Sequence, residues 1–164
     1  MADEKPDPLR PIRDTRGFFM LPQAPTECGY YTYGTMDKKP DRGGYQYAHP
    51  IMMTAILRVA LEWQAIDNRR FGVGNVSRAD GYDDGEHKSH TEGLSVDVRP
   101  LRKDGLHLPV TWSENQYDQA ATAKLIELFR TFAPVVVVYF NDSGMPFVKP
   151  RFGHDNHFHV GLRG

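Results

Sequence analysis

Seven of the twelve prolines, Pro6, Pro8, Pro11, Pro22, Pro25, Pro40 and Pro50, fall in the first fifty residues, interleaved with Gly17, Gly29, Gly34, Gly43 and Gly44. Proline fixes φ and removes a backbone donor, and glycine loses the most entropy on ordering, so no long helix or central strand can cross such a stretch. Residues 1–50 are therefore read as an irregular N-terminal arm packed on the domain, and 51–164 as its core. The arm's tyrosines, Tyr30, Tyr31, Tyr33, Tyr45 and Tyr47, either line a groove or cap the edge of the core.

Beyond the arm the apolar pattern becomes regular. Met52, Ala55, Ile56, Val59, Ala60 and Trp63 recur at three- and four-residue steps, which predicts a helix over 51–67 with Pro50 in its first turn. A second helix is expected from Tyr117 to Phe132, with Ala121, Leu125, Leu128, Phe129 and Phe132 on its apolar face. Ser113 and Gln116 offer a capping box upstream, and Pro134 ends the helix. Strands are expected at Phe71–Ser77, Leu94–Val98 and His157–Leu162, and the β-branched run Val135–Phe140 reads as a strand buried on both faces. There is no βαβ rhythm and no glycine-rich phosphate loop. The fold class expected is α+β: one domain, a mainly antiparallel sheet with two main helices and the irregular arm.

Composition narrows the function classes. A length of 164 residues suits one domain, and a net charge of −1 supplies no positive field for nucleic acid or an anionic membrane surface. The longest apolar run, Pro134–Phe140, is far short of the roughly 20 residues that span a bilayer, so no membrane insertion is expected. Cys28 is the only cysteine, which excludes an intrachain disulfide and a cysteine-rich zinc site. The start Met1-Ala2-Asp3-Glu4-Lys5-Pro6 lacks the basic and apolar segments of a secretory signal, so synthesis in a cytoplasm without a signal peptide is the expectation. A monomer is the default assembly.

Five of the seven histidines lie in two short segments, Glu86–Asp97 and Gly153–His159. Imidazole and carboxylate are the donors that a borderline-soft ion such as zinc accepts, and a catalytic site needs three of them plus water. His157 and His159, two apart in a strand, share a face, so one can bind a metal while the other reaches the water beside it. Gly93 permits a sharp loop that would bring His90 and Asp97 to one point. Asp97, between Val96 and Val98, needs a partner or a metal, and Arg99 is a competing partner in sequence. No His-Glu-x-x-His helix and no Gly-x-Ser-x-Gly turn is present, and nothing marks Cys28 as a nucleophile.

The stretch His87-Lys88-Ser89-His90-Thr91-Glu92-Gly93-Leu94-Ser95-Val96-Asp97-Val98 and the closing His154-Asp155-Asn156-His157-Phe158-His159-Val160 resemble the two motifs of penicillin-insensitive murein endopeptidases. These belong to a zinc peptidase group with lysostaphin-type enzymes and D-alanyl-D-alanine carboxypeptidases. The resemblance covers about a tenth of the chain in strict terms, and Phe71–Ser77 extends it upstream. It implies Zn²⁺ held by His90, Asp97 and His159, with His157 as general base or transition-state stabiliser. His154 would be a catalytic accessory, and His87 a substrate or outer-shell group. The implied activity is hydrolysis of peptidoglycan peptide cross-links, D-alanyl to meso-diaminopimelyl, with the peptide stem as partner. Two features depart from the family: the signal and cysteines of secreted members are missing, and Gly161-Leu162-Arg163 follows Val160 where an arginine is expected directly. Action in the periplasm or cell wall would then need delivery outside the general secretion route, as an interbacterial effector with a secretion carrier and immunity protein, or as a phage-type lysin. The competing expectations are a metal-stabilised cell-wall binding module without turnover, a hydrolase of another small amide, and a D-alanyl-D-alanine carboxypeptidase.

Overall fold

Helix α1 spans Pro50–Gln64 in the computed structural model, which describes residues 13–23, 27–83, 85 and 89–164. The candidate His87 and residues 1–12 of the arm lie outside the described residues. His49 caps α1, its side chain accepting a hydrogen bond from the Ile51 amide, and Pro50 opens the first turn where no donor is required. The buried positions are Met52, Ala55, Ile56, Val59, Ala60 and Trp63, the face that the periodicity predicts. Helix α2, Gln119–Phe132, buries Ala121, Thr122, Leu125, Ile126 and Phe129, while Leu128 and Phe132 lie at the margin. Its cap is Asp118, whose carboxylate accepts from the Ala121 amide at 3.0 Å, and not the expected Ser113–Gln116 box. Ala133, ahead of Pro134, is already extended (φ −139°, ψ 153°), the conformation that the clash with a following proline ring favours.

The strands in chain order are β1 (Phe19–Met20), β2 (Tyr30–Thr32), β3 (Thr35–Met36), β4 (Lys39–Pro40), β5 (Tyr47–Ala48), β6 (Phe71–Val73), β7 (Ser95–Val98), β8 (Val135–Tyr139) and β9 (Phe158–Leu162). Five of them form one sheet in the order β2-β6-β7-β9-β8, in which β2 and β6 run parallel and every other pair antiparallel. Two-stranded ribbons, β1 with β5 and β3 with β4, complete the set among the described residues. The helices and the sheet share one apolar cluster, where Phe129 of α2 meets Phe71 and Phe158 edge to face. Fully burying a side chain of the size of Phe158 contributes about 1.5–3 kcal/mol. This is an α+β fold, two helices on a mainly antiparallel sheet.

Three local expectations are corrected. The arm is irregular but not merely wrapped: β2 forms an edge of the main sheet, and Leu21 and Tyr30 are fully buried in the core. Prolines limit its strands to two or three residues without preventing pairing. The strand expected over Phe71–Ser77 ends at Val73, because the pairing with β7 slips by one residue after it, Asp97 bonding both Gly74 and Asn75. Gly74 donates to the Asp97 carbonyl and Val76 to the Tyr45 carbonyl, so 74–77 are buried and bonded but bulge from the ladder. Finally, β8 is not buried on both faces. It is the other edge of the sheet, with Val136 55% exposed. A run of valines signals extended backbone but contains no polar residue to reveal the solvent face.

Candidate metal centre

The β7–β9 register sets Asp97 directly opposite His159 and Val98 opposite Phe158. Successive side chains alternate between faces, so Val96, Val98 and Phe158 enter the core while Asp97 and His159 meet on the other side of the sheet. His159 Nδ1 lies 3.2 Å from one Asp97 oxygen, Oδ1. His90 reaches the second: its Nε2 is 3.2 Å from Oδ2. The loop that delivers His90 turns at Gly93 (φ +71°), where a Cβ would approach the His49 amide nitrogen to 2.6 Å, so glycine is required there. Gly93 thus serves as the sequence anticipates. His90 and His159 are 3% and 4% exposed, and their rings meet edge to face at 5.0 Å.

The tautomer of His90 follows from its surroundings. Nδ1 sits 3.0 Å from the Val76 carbonyl, which can only accept, so Nδ1 carries the proton and Nε2 faces the carboxylate. A carbonyl on the remote ring nitrogen is the usual way in which a metal-binding imidazole is oriented. Burial pushes His90 down, but the Asp97 charge and hydrogen bonds outweigh it, and its pKa stands above the ordinary value. Burial pushes Asp97 up, yet the histidines around it hold it well below the carboxylate range. For His157 and His159 burial prevails over the Asp97 attraction, and both stay below the ordinary histidine value.

One ligand atom each from His90, Asp97 and His159 lies within 4.8 Å of the others, so the buried trio could hold a metal ion. Bonds of about 2.0–2.2 Å in a tetrahedral site separate ligands by roughly 3.3–3.6 Å, so small side-chain adjustments suffice. Arg99 is not the partner of Asp97. It lies over the Tyr33 ring instead, with its guanidinium carbon 3.9 Å from the ring centre.

The trio forms the floor of a cleft of about 530 Å³ whose walls include Ser89, Arg151, Phe152, His154 and His157. His157, one residue before β9, places Nε2 3.8 Å from Asp97 Oδ1 and Nδ1 2.9 Å from the Asn156 side-chain oxygen. The His154 ring lies tilted against His157, centroids 4.7 Å apart, and its Nδ1 is 3.1 Å from the Phe152 carbonyl. Of the residues singled out in the sequence, His90, Asp97, His154, His157 and His159 come together here. Asp155 is tied to the Trp112 and Asn141 side chains, which fixes the loop carrying the histidines. Sequence reasoning missed Tyr139, whose ring lies 5.7 Å from His159 and beneath the Arg151 guanidinium. The register Tyr139–His159 is its only signal, and it depends on knowing the strand order.

Among the arm's tyrosines, Tyr30, Tyr45 and Tyr47 are core and Tyr31 stacks on His107, while Tyr33 lines a second cavity of about 530 Å³ with Arg99, Asp41 and Arg42. The Tyr33 hydroxyl is buried and has no hydrogen-bond partner among the described residues. No protein-family model matches the chain, and no curated protein is significantly similar to it.

Proposed function

We propose that the protein is a zinc-dependent hydrolase of peptidoglycan peptide cross-links, cutting the D-alanyl to meso-diaminopimelyl bond. One observation carries the reading: the two histidine segments, more than fifty residues apart, converge so that His90 and His159 grip one carboxylate while His157 and His154 stand at the same cleft. His90, Asp97 and His159 would hold the ion. Their donor set, two imidazoles and one carboxylate, suits Zn²⁺ and matches three-ligand catalytic sites. When bound, Zn²⁺ supplies a Lewis acid that acidifies water and polarises a carbonyl.

The rest of the chemistry falls to side chains. The amide oxygen of Asn156 fixes the proton of His157 on Nδ1, leaving Nε2 as the basic nitrogen toward the cleft. Burial keeps this imidazole neutral near pH 7, so Nε2 can take a proton from attacking water and return it to the leaving amine. His154 is oriented the same way by the Phe152 carbonyl and can hydrogen-bond the substrate or the developing oxyanion. The Arg151–Gly153 loop walls one side of the cleft. On this reading the protein would act in the periplasm or cell wall, reached as a delivered effector or a lysin.

The test is digestion of purified meso-diaminopimelate muropeptide dimers, read by mass spectrometry, with and without a chelator. Conversion to monomers that stops with chelator and in His90→Ala is expected. Intact dimers beside folded, zinc-loaded protein would overturn the reading. Release of terminal D-alanine alone would move it to a carboxypeptidase.

A further inference from the structure

Arg99 follows Asp97 by two residues in backbone that stays extended past β7, since the Arg99 amide donates to the Gly72 carbonyl at 2.9 Å. Residues two apart in a strand share a face, about 6.6–6.8 Å from each other, so Arg99 stands beside the metal centre on the same side of the sheet. That is within reach of a neighbouring residue in a substrate bound over Asp97, because an extended peptide advances roughly 3.3–3.6 Å per residue. The guanidinium carbon lies over the Tyr33 ring, 3.9 Å from its centre, and no carboxylate among the described residues pairs with it.

Its surroundings are those of a binding site. Asp41, the acid of the same cavity, accepts from the Gly43 and Tyr45 amides and is committed to its own turn. Tyr33 presents a buried hydroxyl without a partner, a donor that folding alone does not satisfy. Gly72 and Gly74 lie against the rings of Tyr31 and Tyr33. A Cβ at Gly74 would approach the Tyr33 ring to 2.6 Å, and one at Gly72 would approach Tyr31 to 2.8 Å. The tyrosine rings therefore lie on bare backbone, and the Gly74 amide bonds directly to the Asp97 carbonyl.

We propose that Arg99 and Tyr33 form a subsite for the free carboxylate on the residue that supplies the leaving amine. Guanidinium binds carboxylate through two parallel hydrogen bonds, and stacking on Tyr33 orders it before the substrate arrives. The inference rests on the hydrolase reading and deepens it, because both the D-centre of diaminopimelate and a terminal D-alanine carry such a carboxylate.

The experiment compares zinc-loaded wild type, Arg99→Gln, Arg99→Lys and Tyr33→Phe on muropeptide dimers whose carboxylate beside the cross-link is free or amidated. A parallel arm uses pentapeptide stems with free or amidated ends. Amidation should raise KM of the wild type tenfold or more and leave kcat nearly unchanged. Arg99→Gln should lose the same factor on the free acid and nothing further on the amide, with Arg99→Lys between. Discrimination on dimers assigns the carboxylate to diaminopimelate, and discrimination on stems assigns it to the terminal residue. Equal KM for Arg99→Gln and wild type on the free acid overturns the subsite. Calorimetric binding of free and amidated monomers needs no turnover: equal affinities overturn the subsite alone, while discrimination without cleavage keeps it and defeats the hydrolase.

Discussion

Val96, Val98 and Phe158 turn toward the helices and are fully buried, whereas Asp97 and His159, neighbours on the same two strands, turn the other way and meet as an acid and a base. The two faces share every backbone hydrogen bond and differ only in parity along the chain. On one face close packing determines how stable the fold is. On the other, charge, tautomer and open space determine what it can bind. Changes to the two faces should therefore separate into different measurements.

The sharpest break is Asp97→Ala, which should abolish both zinc uptake and hydrolysis while the far-ultraviolet dichroism of the metal-free protein stays folded. Zinc stoichiometry and dimer digestion check it. Next comes Phe158→Ala, expected to cost about 3–5 kcal/mol because a buried aromatic leaves a cavity that its neighbours only partly fill. Urea denaturation measures it, and unchanged zinc stoichiometry in the surviving folded fraction would confirm that the faces are separable. His157→Ala should bind zinc as the wild type does and lower kcat by about 10²–10⁴-fold, the range expected for a general base. Simultaneous loss of zinc would place His157 among the ligands instead.

The smallest effects belong to the apolar side of the comparison. Asp118 caps α2 and also pairs with Arg69 at 2.8 Å, while Asp67 pairs with the same guanidinium at 2.7 Å. Asp118→Ala should cost about 1–2 kcal/mol in urea without altering kcat. Hydrogen bonding to Arg69 holds Asp67 below its ordinary value; for Asp118 burial pushes upward, but the Ala121 amide and Arg69 outweigh it. Unfolding would return both to about 3.9, so their contribution is fully present above that pH and is lost as pH falls through the lower folded values. The metal-free protein should lose thermal stability below about pH 4, and Asp118→Ala should flatten that slope.

What could be read in the sequence follows the same division. The six apolar positions of α1 lie at helical spacing, and their burial follows from local periodicity. His90, Asp97 and His159 were legible because histidine beside acid is rare enough to draw attention wherever it lies. The edge position of β8 was not legible, since valine repeated at every residue carries no alternation and strand order is a property of the whole sheet. The Asp118 cap was displaced because Asp118 and Ser113 both satisfy the local rule, and the Arg69 pairing that favours Asp118 is distant in sequence. Arg99 drew notice only as a rival partner for Asp97. Its place over Tyr33 depends on β2 joining the sheet beside β6, which the prolines of the arm concealed.

Asp97 and His159 are 62 residues apart in the chain, yet they are directly paired across β7 and β9. An ion gripped by both is a clasp on a long loop, and its ligands are not assembled in the unfolded chain. Metal loading is then a folding event: free ion at a hundredfold above its dissociation constant would add about 2.7 kcal/mol to the native state. Because closure waits for β9, a growing chain or a proteolytic stub without that strand has an incomplete ligand set. On the proposed reading, the polypeptide would stay inert until β9 docks.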